Sequence, residues 1–236
     1  MVPVMTKRSL SAIFLGFALI AAAPGPKAPL LLNEDNFDPA LLLPPPPADD
    51  SAAGKAELAE LHRIDQTRDP ADVARAKTDD AVKNATIFVE AVGPGFDLDK
   101  LPATAALFKT VRAEEKAAAD RAKDHFLRKR PWIVDPSLHS CSTDDEPQSS
   151  YPSGHTTMGY SMASILARLI PAKAPAILAR AASYAHSRLV CEVHFPDDVV
   201  AGQAYGMMVA ERLMQIPAFR AQYDAAAAEL AAAHLR

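Results

Sequence analysis

Three short stretches of the chain hold residues whose types and spacing could do chemistry: Lys123 with Arg130-Pro131, Pro152-Ser153-Gly154-His155, and Ser187-Arg188 followed by His194 and Asp198. Together they offer three cations, two imidazoles, one carboxylate and a Ser-Gly turn that can open a helix. That set matches the needs of phosphoryl transfer through a histidine. Cations and backbone N–H groups would hold the phosphoryl oxygens, one imidazole would attack, and the other would protonate the leaving oxygen.

Each stretch also has a plainer reading. In His194-Phe195-Pro196-Asp197-Asp198, Asp198 can reach back to fix the tautomer of His194 and leave the other ring nitrogen as a free lone pair. Equally, the two acids can simply complement the N-terminal dipole of a helix opened by Pro196. Arg188 offers a planar fork for two phosphate oxygens, or is a solvated arginine at a helix end. Lys123 and Arg130 are two helical turns apart, and share a face if their helix runs on to Pro131. Pro131-Trp132 is an apolar stop that would draw Arg130 inward, whereas Arg128 and Lys129 read as solvated. Ser153-Gly154 would open a helix whose free N–H groups bind an anion, with Ser153 as N-cap in the alternative and His155 on the surface.

The elements that must position these groups are helices. From Ser51 onward Ala, Leu, Glu, Lys and Arg dominate, and the pattern predicts helices over about 51–66, 70–92, 102–122, 154–170, 174–187, 197–215 and 217–234. Breaks are expected at Gly93-Pro94-Gly95, between Pro131 and Pro152, at Pro171 and at Pro196. The expected class is all-α, a single-domain helical bundle over 51–236. The long loop ahead of Pro152 is read as site-forming. Residues 24–50, with Leu41-Leu42-Leu43 followed by four prolines, read as an extended arm whose leucines pack on the domain.

Residues 1–23 have the order of a secretory signal, Lys7 and Arg8 ahead of an apolar run and then Ala21-Ala22-Ala23. Export is therefore expected, to the periplasm or the medium, without stable membrane insertion once the signal is removed. In an exported chain the two cysteines, Cys141 and Cys191, invite a disulfide, two buried free thiols being the alternative. The formal net charge of −4 argues against a nucleic-acid partner.

The motifs Lys-x6-Arg-Pro, Pro-Ser-Gly-His and Ser-Arg-x5-His-x3-Asp resemble the signature of the phosphatidic acid phosphatase type 2 and vanadium haloperoxidase superfamily. Within it the chain is similar to the bacterial class A non-specific acid phosphatases, through Leu42-Leu43-Pro44-Pro45-Pro46-Pro47-Ala48, Lys123-Asp124-His125, Ser150-Tyr151-Pro152-Ser153-Gly154-His155-Thr156, and Cys191 three residues before His194. The resemblance implies an exported phosphatase of broad specificity for phosphate monoesters, releasing inorganic phosphate through a phosphohistidine on His194 and also able to pass phosphate to alcohols. By it, Asp198 orients His194 and His155 is the general acid. Lys123, Arg130, Arg188 and the amides of Ser153 and Gly154 bind the phosphoryl oxygens. No cofactor or metal is implied, and vanadate is expected to inhibit. Homo-oligomerisation is left open. A vanadium-dependent haloperoxidase and a non-catalytic phosphate-binding protein are the rivals. Ser149, where relatives often have Gly, and Phe195-Pro196-Asp197, in place of a more polar Trp-Gln-Ser type of sequence, are departures expected to alter the pocket rim.

Overall fold

Proline opens most of the helices. Its fixed φ suits the first turn, where a missing N–H costs nothing. A computed structural model describes Met1 and residues 30–236, so the signal read over 1–23 lies outside the described residues. The α-helices are α1 (Pro39–Leu42), α2 (Ala52–Thr67), α3 (Pro70–Ala81), α4 (Val89–Val92), α5 (Pro102–Phe126), α6 (Pro131–Val134), α7 (Gly154–Leu169), α8 (Ala174–Val190), α9 (Pro196–Met214) and α10 (Pro217–Ala232). There is no strand among the described residues, so the fold is all-α.

At the centre stands α7. Residues Thr156–Ala163, Ile165, Leu166 and Leu169 are all buried, so it is apolar on nearly every side and must be surrounded. α5, α8 and α9 surround it, with α10 laid on α5 and α3 on α8. The α7–α9 contact is close because Gly202 and Gly206, one turn apart on α9, face the α7 backbone. A Cβ at Gly206 would lie 2.4 Å from the Thr157 carbonyl, and one at Gly202 2.7 Å from that of Ser153. Any larger residue at either position would push α9, and with it His194 and Asp198, away from the start of α7.

The helix expected over 70–92 is broken. α3 stops at Ala81, Val82 takes an extended conformation, and Asn84 caps a short 3₁₀ turn, Ala85–Phe88. Side chains from other elements satisfy the carbonyls left bare at this break. The Tyr184 hydroxyl donates to Val82 O at 2.6 Å and Arg112 Nε to Lys83 O at 3.1 Å. Below them Asp79 is buried and accepts from Ser187 Oγ at 2.7 Å and Arg180 Nη2 at 2.5 Å. Ser187, next to Arg188, thus ties the end of α3 to α8.

The segment read as an arm lies on the helices in the part that is described. Leu32 and Leu43 are buried, Leu41 is exposed, and the Leu31 and Leu32 N–H groups donate to the buried Glu114 carboxylate at 2.9 and 3.0 Å. Tyr151 donates to the Pro44 carbonyl at 2.8 Å, anchoring the proline run beside the loop that carries Ser150 and Ser153. No helix of the described residues is long and apolar enough to cross a membrane.

Candidate active site

The end of α5, the start of α7 and the turn between α8 and α9 converge on a cavity of about 910 Å³. Lys123, Arg130, Gly154, His155 and His194 line it. Arg188, Ser153 and Asp198 are buried behind that lining. The three stretches separated in sequence therefore meet at one place.

Lys123 and Arg130 do meet, but not along one helix. α5 ends at Phe126 because Leu127 adopts a left-handed conformation (φ 50°) and donates its N–H to Lys123 O at 2.9 Å. The chain then runs without helix to Pro131, and side chains two residues apart turn the same way, as in a strand. Arg128 and Arg130 are buried while Leu127 and Lys129 are exposed. Arg128, read as solvated, is thus a buried cation: it bonds Asp198 Oδ1 at 2.7 Å and Glu57 Oε2 at 2.5 Å, and its guanidinium lies 4.3 Å from the Phe195 ring centroid. Removing one member of such a buried set strands the others. Arg128→Ala is expected to cost about 3–5 kcal/mol of stability, measured by urea denaturation, with Arg128→Lys losing less.

His194 is 1% exposed. Its Nε2 accepts from Arg130 Nη1 at 2.9 Å on the cavity side, and its Nδ1 stands 3.4 Å from Asp198 Oδ2. The Ser150 backbone also hydrogen-bonds the ring. Burial, then the charges of Arg130, Arg188 and Lys123, hold the imidazole well below the ordinary histidine pKa. Because Arg130 can only donate, Nε2 carries the lone pair and the neutral ring has its proton on Nδ1. Asp198 is fixed in turn: besides Arg128, it accepts from Ser150 Oγ at 2.6 Å and from the Phe195 N–H at 2.8 Å.

Around Nε2 stand the cations. Arg130 is 1% exposed and is held by Val193 O at 2.8 Å and by Ser149 Oγ at 3.1 and 3.3 Å. Its Nη2 also lies 3.1 Å from Asp145 Oδ2 at the rim. Arg188, 1% exposed, has Nη1 at 2.7 Å from Asp80 Oδ1 but outside hydrogen-bond alignment, so that among the described residues its Nε and Nη1 make no hydrogen bond. Unmade donors on a buried cation call for an explanation, and an anionic ligand supplies one. Lys123 approaches the first turn of α7 so closely that a Cβ at Gly154 would lie 3.3 Å from its Nζ. Burial and then Arg130 lower the lysine's pKa, with Asp120 and Asp145 opposing.

The start of α7 departs from expectation in one respect. The Ser153 N–H donates to Asp198 O at 2.9 Å and is already used. Its hydroxyl caps the helix, accepting from Thr156 N at 3.4 Å and Thr156 Oγ1 at 3.0 Å, and retains its own proton to donate. The amide of Gly154, at the first helical position, is not claimed by the helix itself.

His155 is the other imidazole at the cavity. Its Nε2 lies 3.1 Å from Asp80 O and 3.4 Å from Asp80 Oδ1, and its ring centroid is 5.8 Å from that of Tyr184. Burial, then Arg188, depress its pKa well below the ordinary value; the Asp80 carbonyl opposes, and Lys83 and His194 add to the depression.

Cys141 and Cys191 form a disulfide with Cα atoms 4.8 Å apart, and Cys141 N donates to Cys191 O at 3.0 Å. The bridge pins the loop ahead of Pro152 to the turn that presents His194. Closing a loop of 50 residues in sequence separation stabilises a fold by about 4 kcal/mol on chain entropy. A Cys141→Ser, Cys191→Ser double variant should lose roughly that much, within about 2–5 kcal/mol, in equilibrium denaturation.

Sequence reasoning passed over Glu57, Asp80 and Asp145, gave Ser150 no role of its own, and placed Arg128 in solvent. The departure at Phe195 does not touch the rim, since that ring is buried under Arg128. Ser149 does line the cavity, and its hydroxyl holds Arg130.

A family model described as the PAP2 superfamily matches residues 103–222, which include every site side chain named above from Lys123 to Asp198. The chain is 44% identical over 116 residues to an acid phosphatase of Zymomonas mobilis, a stretch covering 48% of this chain and 44% of that protein. It is 33% identical over 154 residues to a non-specific acid phosphatase of Salmonella typhimurium, covering 62% of this chain and 61% of the relative. With a non-specific acid phosphatase of Providencia stuartii it shares 30% identity over 179 residues, covering 74% and 69%. The chain thus spans less than two thirds of the Zymomonas and Salmonella proteins.

Proposed function

Since the chain belongs to the PAP2 superfamily, we propose that it is an exported acid phosphatase that hydrolyses phosphate monoesters through a phosphohistidine on His194. The observation that carries this reading is the buried His194, whose Nε2 meets Arg130 on the side of a cavity lined or backed by Lys123, Arg130 and Arg188. The names of the relatives support it. Export rests on the pattern of residues 1–23.

The phosphoryl group enters among the three cations, the Gly154 amide and the Ser153 hydroxyl. Arg130 Nη1 gives up its bond to Nε2 and takes a phosphoryl oxygen instead. The Nε2 lone pair then attacks phosphorus in line, the bond from phosphorus to the ester oxygen breaks, and the His155 proton passes to that oxygen as the alcohol leaves. His194 gains positive charge in this step, which the buried Asp198 carboxylate offsets. Water next attacks phosphorus while His155, now neutral, takes its proton. The phosphorus–nitrogen bond breaks, the electron pair returns to Nε2, and inorganic phosphate leaves. An alcohol in place of water gives transfer. Vanadate, with the same charge-bearing oxygens, should compete for the cations.

The test is release of inorganic phosphate from phenyl phosphate and glycerol phosphate by purified protein between pH 4 and 7. Halide oxidation with added vanadate and peroxide is measured in parallel. Phosphate release without halide oxidation is expected. Halide oxidation alone, or phosphate binding without turnover, would overturn the reading.

A further inference from the structure

The cavity is larger than a phosphoryl group needs. Besides the phosphate-binding groups and His155, its lining includes Met158 of α7, Ala119 of α5, Arg112, Glu115 and Lys83, which together form a second part of the cavity, here called its branch. This branch lies on the leaving-group side: His155 Nε2 bonds the Asp80 carbonyl at 3.1 Å, and three residues further on the Lys83 carbonyl holds Arg112 Nε at 3.1 Å. An alcohol released at His155 would extend into it.

The branch contains an unusual carboxyl group. Glu115 is wholly buried and yet lines the cavity. Arg112 Nη1 donates to its Oε1, and Arg112 Nε is held by the Lys83 carbonyl at 3.1 Å, so the pair is fixed in place. Oε2 has no hydrogen-bond partner among the described residues. A buried polar atom without a partner, on a residue that lines a cavity, is unfavourable until something meets it.

Resting on the phosphatase reading above, we propose that this branch is a leaving-group subsite and that Glu115 selects phosphate monoesters whose alcohol carries a hydroxyl beyond an apolar body. Met158 and Ala119 suit the carbon body. A hydroxyl both donates and accepts, so it satisfies Oε2 whether the carboxyl is protonated or ionised. Both forms matter, because burial pushes Glu115 up to about 8, with Arg112 opposing.

The test compares two esters of similar leaving-group acidity, 4-(2-hydroxyethyl)phenyl phosphate and 4-ethylphenyl phosphate. The wild-type protein is expected to prefer the hydroxylated ester by about 10-fold in kcat/KM, because the other leaves the buried oxygen unpaired. Glu115→Leu should bring that ratio to about one, and Glu115→Gln should keep most of it. A ratio is read because a general loss of activity leaves it unmoved. Inhibition of the wild-type protein by 4-(2-hydroxyethyl)phenol and by 4-ethylphenol gives the same comparison without any variant, and the first should bind more tightly. A wild-type ratio near one, equal inhibition by the two phenols, or an unchanged ratio in Glu115→Leu would overturn the subsite while leaving the phosphatase reading intact. Absence of phosphate release from both esters would overturn that reading and the subsite with it.

Discussion

His194→Ala is expected to fold and to hydrolyse phenyl phosphate about 10⁴–10⁶-fold more slowly than the wild-type protein, the range in which loss of a nucleophile usually falls. Folding should survive because the ring removed is neutral, so no buried countercharge is stranded. Asp198 keeps Arg128, Ser150 and the Phe195 N–H, and Arg130 keeps Val193 and Ser149. The cations remain as well, so inorganic phosphate should still raise the melting temperature of the variant. That combination, binding kept and turnover lost, separates the nucleophile from a merely structural histidine. A loss of less than 10-fold would place the attacking group elsewhere.

His155→Ala is expected to lower kcat for alkyl phosphates by roughly 10²–10⁴-fold, the usual worth of a general acid. For 4-nitrophenyl phosphate the loss should be much smaller, since that leaving group departs as an anion without a proton. Equal losses for both esters would remove His155 from the acid role.

The pH dependence follows from the direction of the shifts. Both imidazoles are depressed, His155 by burial and then Arg188, His194 by burial and then its three cations. Attack needs His155 protonated and His194 neutral, so kcat/KM should decline both as pH rises through the depressed His155 value and as it falls through the depressed His194 value. The optimum is thereby set on the acid side of the ordinary histidine range, with two apparent pKa values that belong to the pair. The same shifts act on stability with a definite sign. Between the depressed values and about 6.5 the unfolded chain binds more protons than the folded one, so these two groups favour folding less as pH falls. Bound phosphate should relieve part of that loss. Removing His155 should abolish the alkaline limb of the rate profile for alkyl esters.

Most of the helices were legible because proline, Asp and Ser mark their starts: Ser51, Asp69-Pro70, Ser153 and Pro217 all fall at helix boundaries, whereas α1, capped by Asp38 and opened by Pro39, interrupts the segment read as an extended arm. The site was legible as a list of residues and less so as a geometry. Lys123 and Arg130 do converge, although the helical spacing that suggested it ends at Phe126. A left-handed Leu127 has no sequence signal, since it carries no Gly or Asn. Once the helix stops there, a two-residue alternation replaces the helical one and turns Arg128 inward, which charge pattern alone misassigned. The break in the segment 70–92 was hidden for a related reason: Tyr184 and Arg112, which satisfy its bare carbonyls, lie far away in sequence. Ser153 looked like an amide donor until its N–H met the Asp198 carbonyl, a contact set by how α9 packs on α7. Local propensity can announce a helix start, but not which of its N–H groups a neighbouring element will claim.

The phosphohistidine itself is the most direct test. The protein is mixed with a ³²P-labelled phosphate monoester, quenched within milliseconds, and treated with acid or alkali. Label bound to protein, stable in alkali and lost in acid, present in wild type and absent from His194→Ala, is the predicted result. Label that forms equally well without His194, or phosphate release in wild type with no labelled protein at any quench time, even in single turnover at low temperature, would contradict the account.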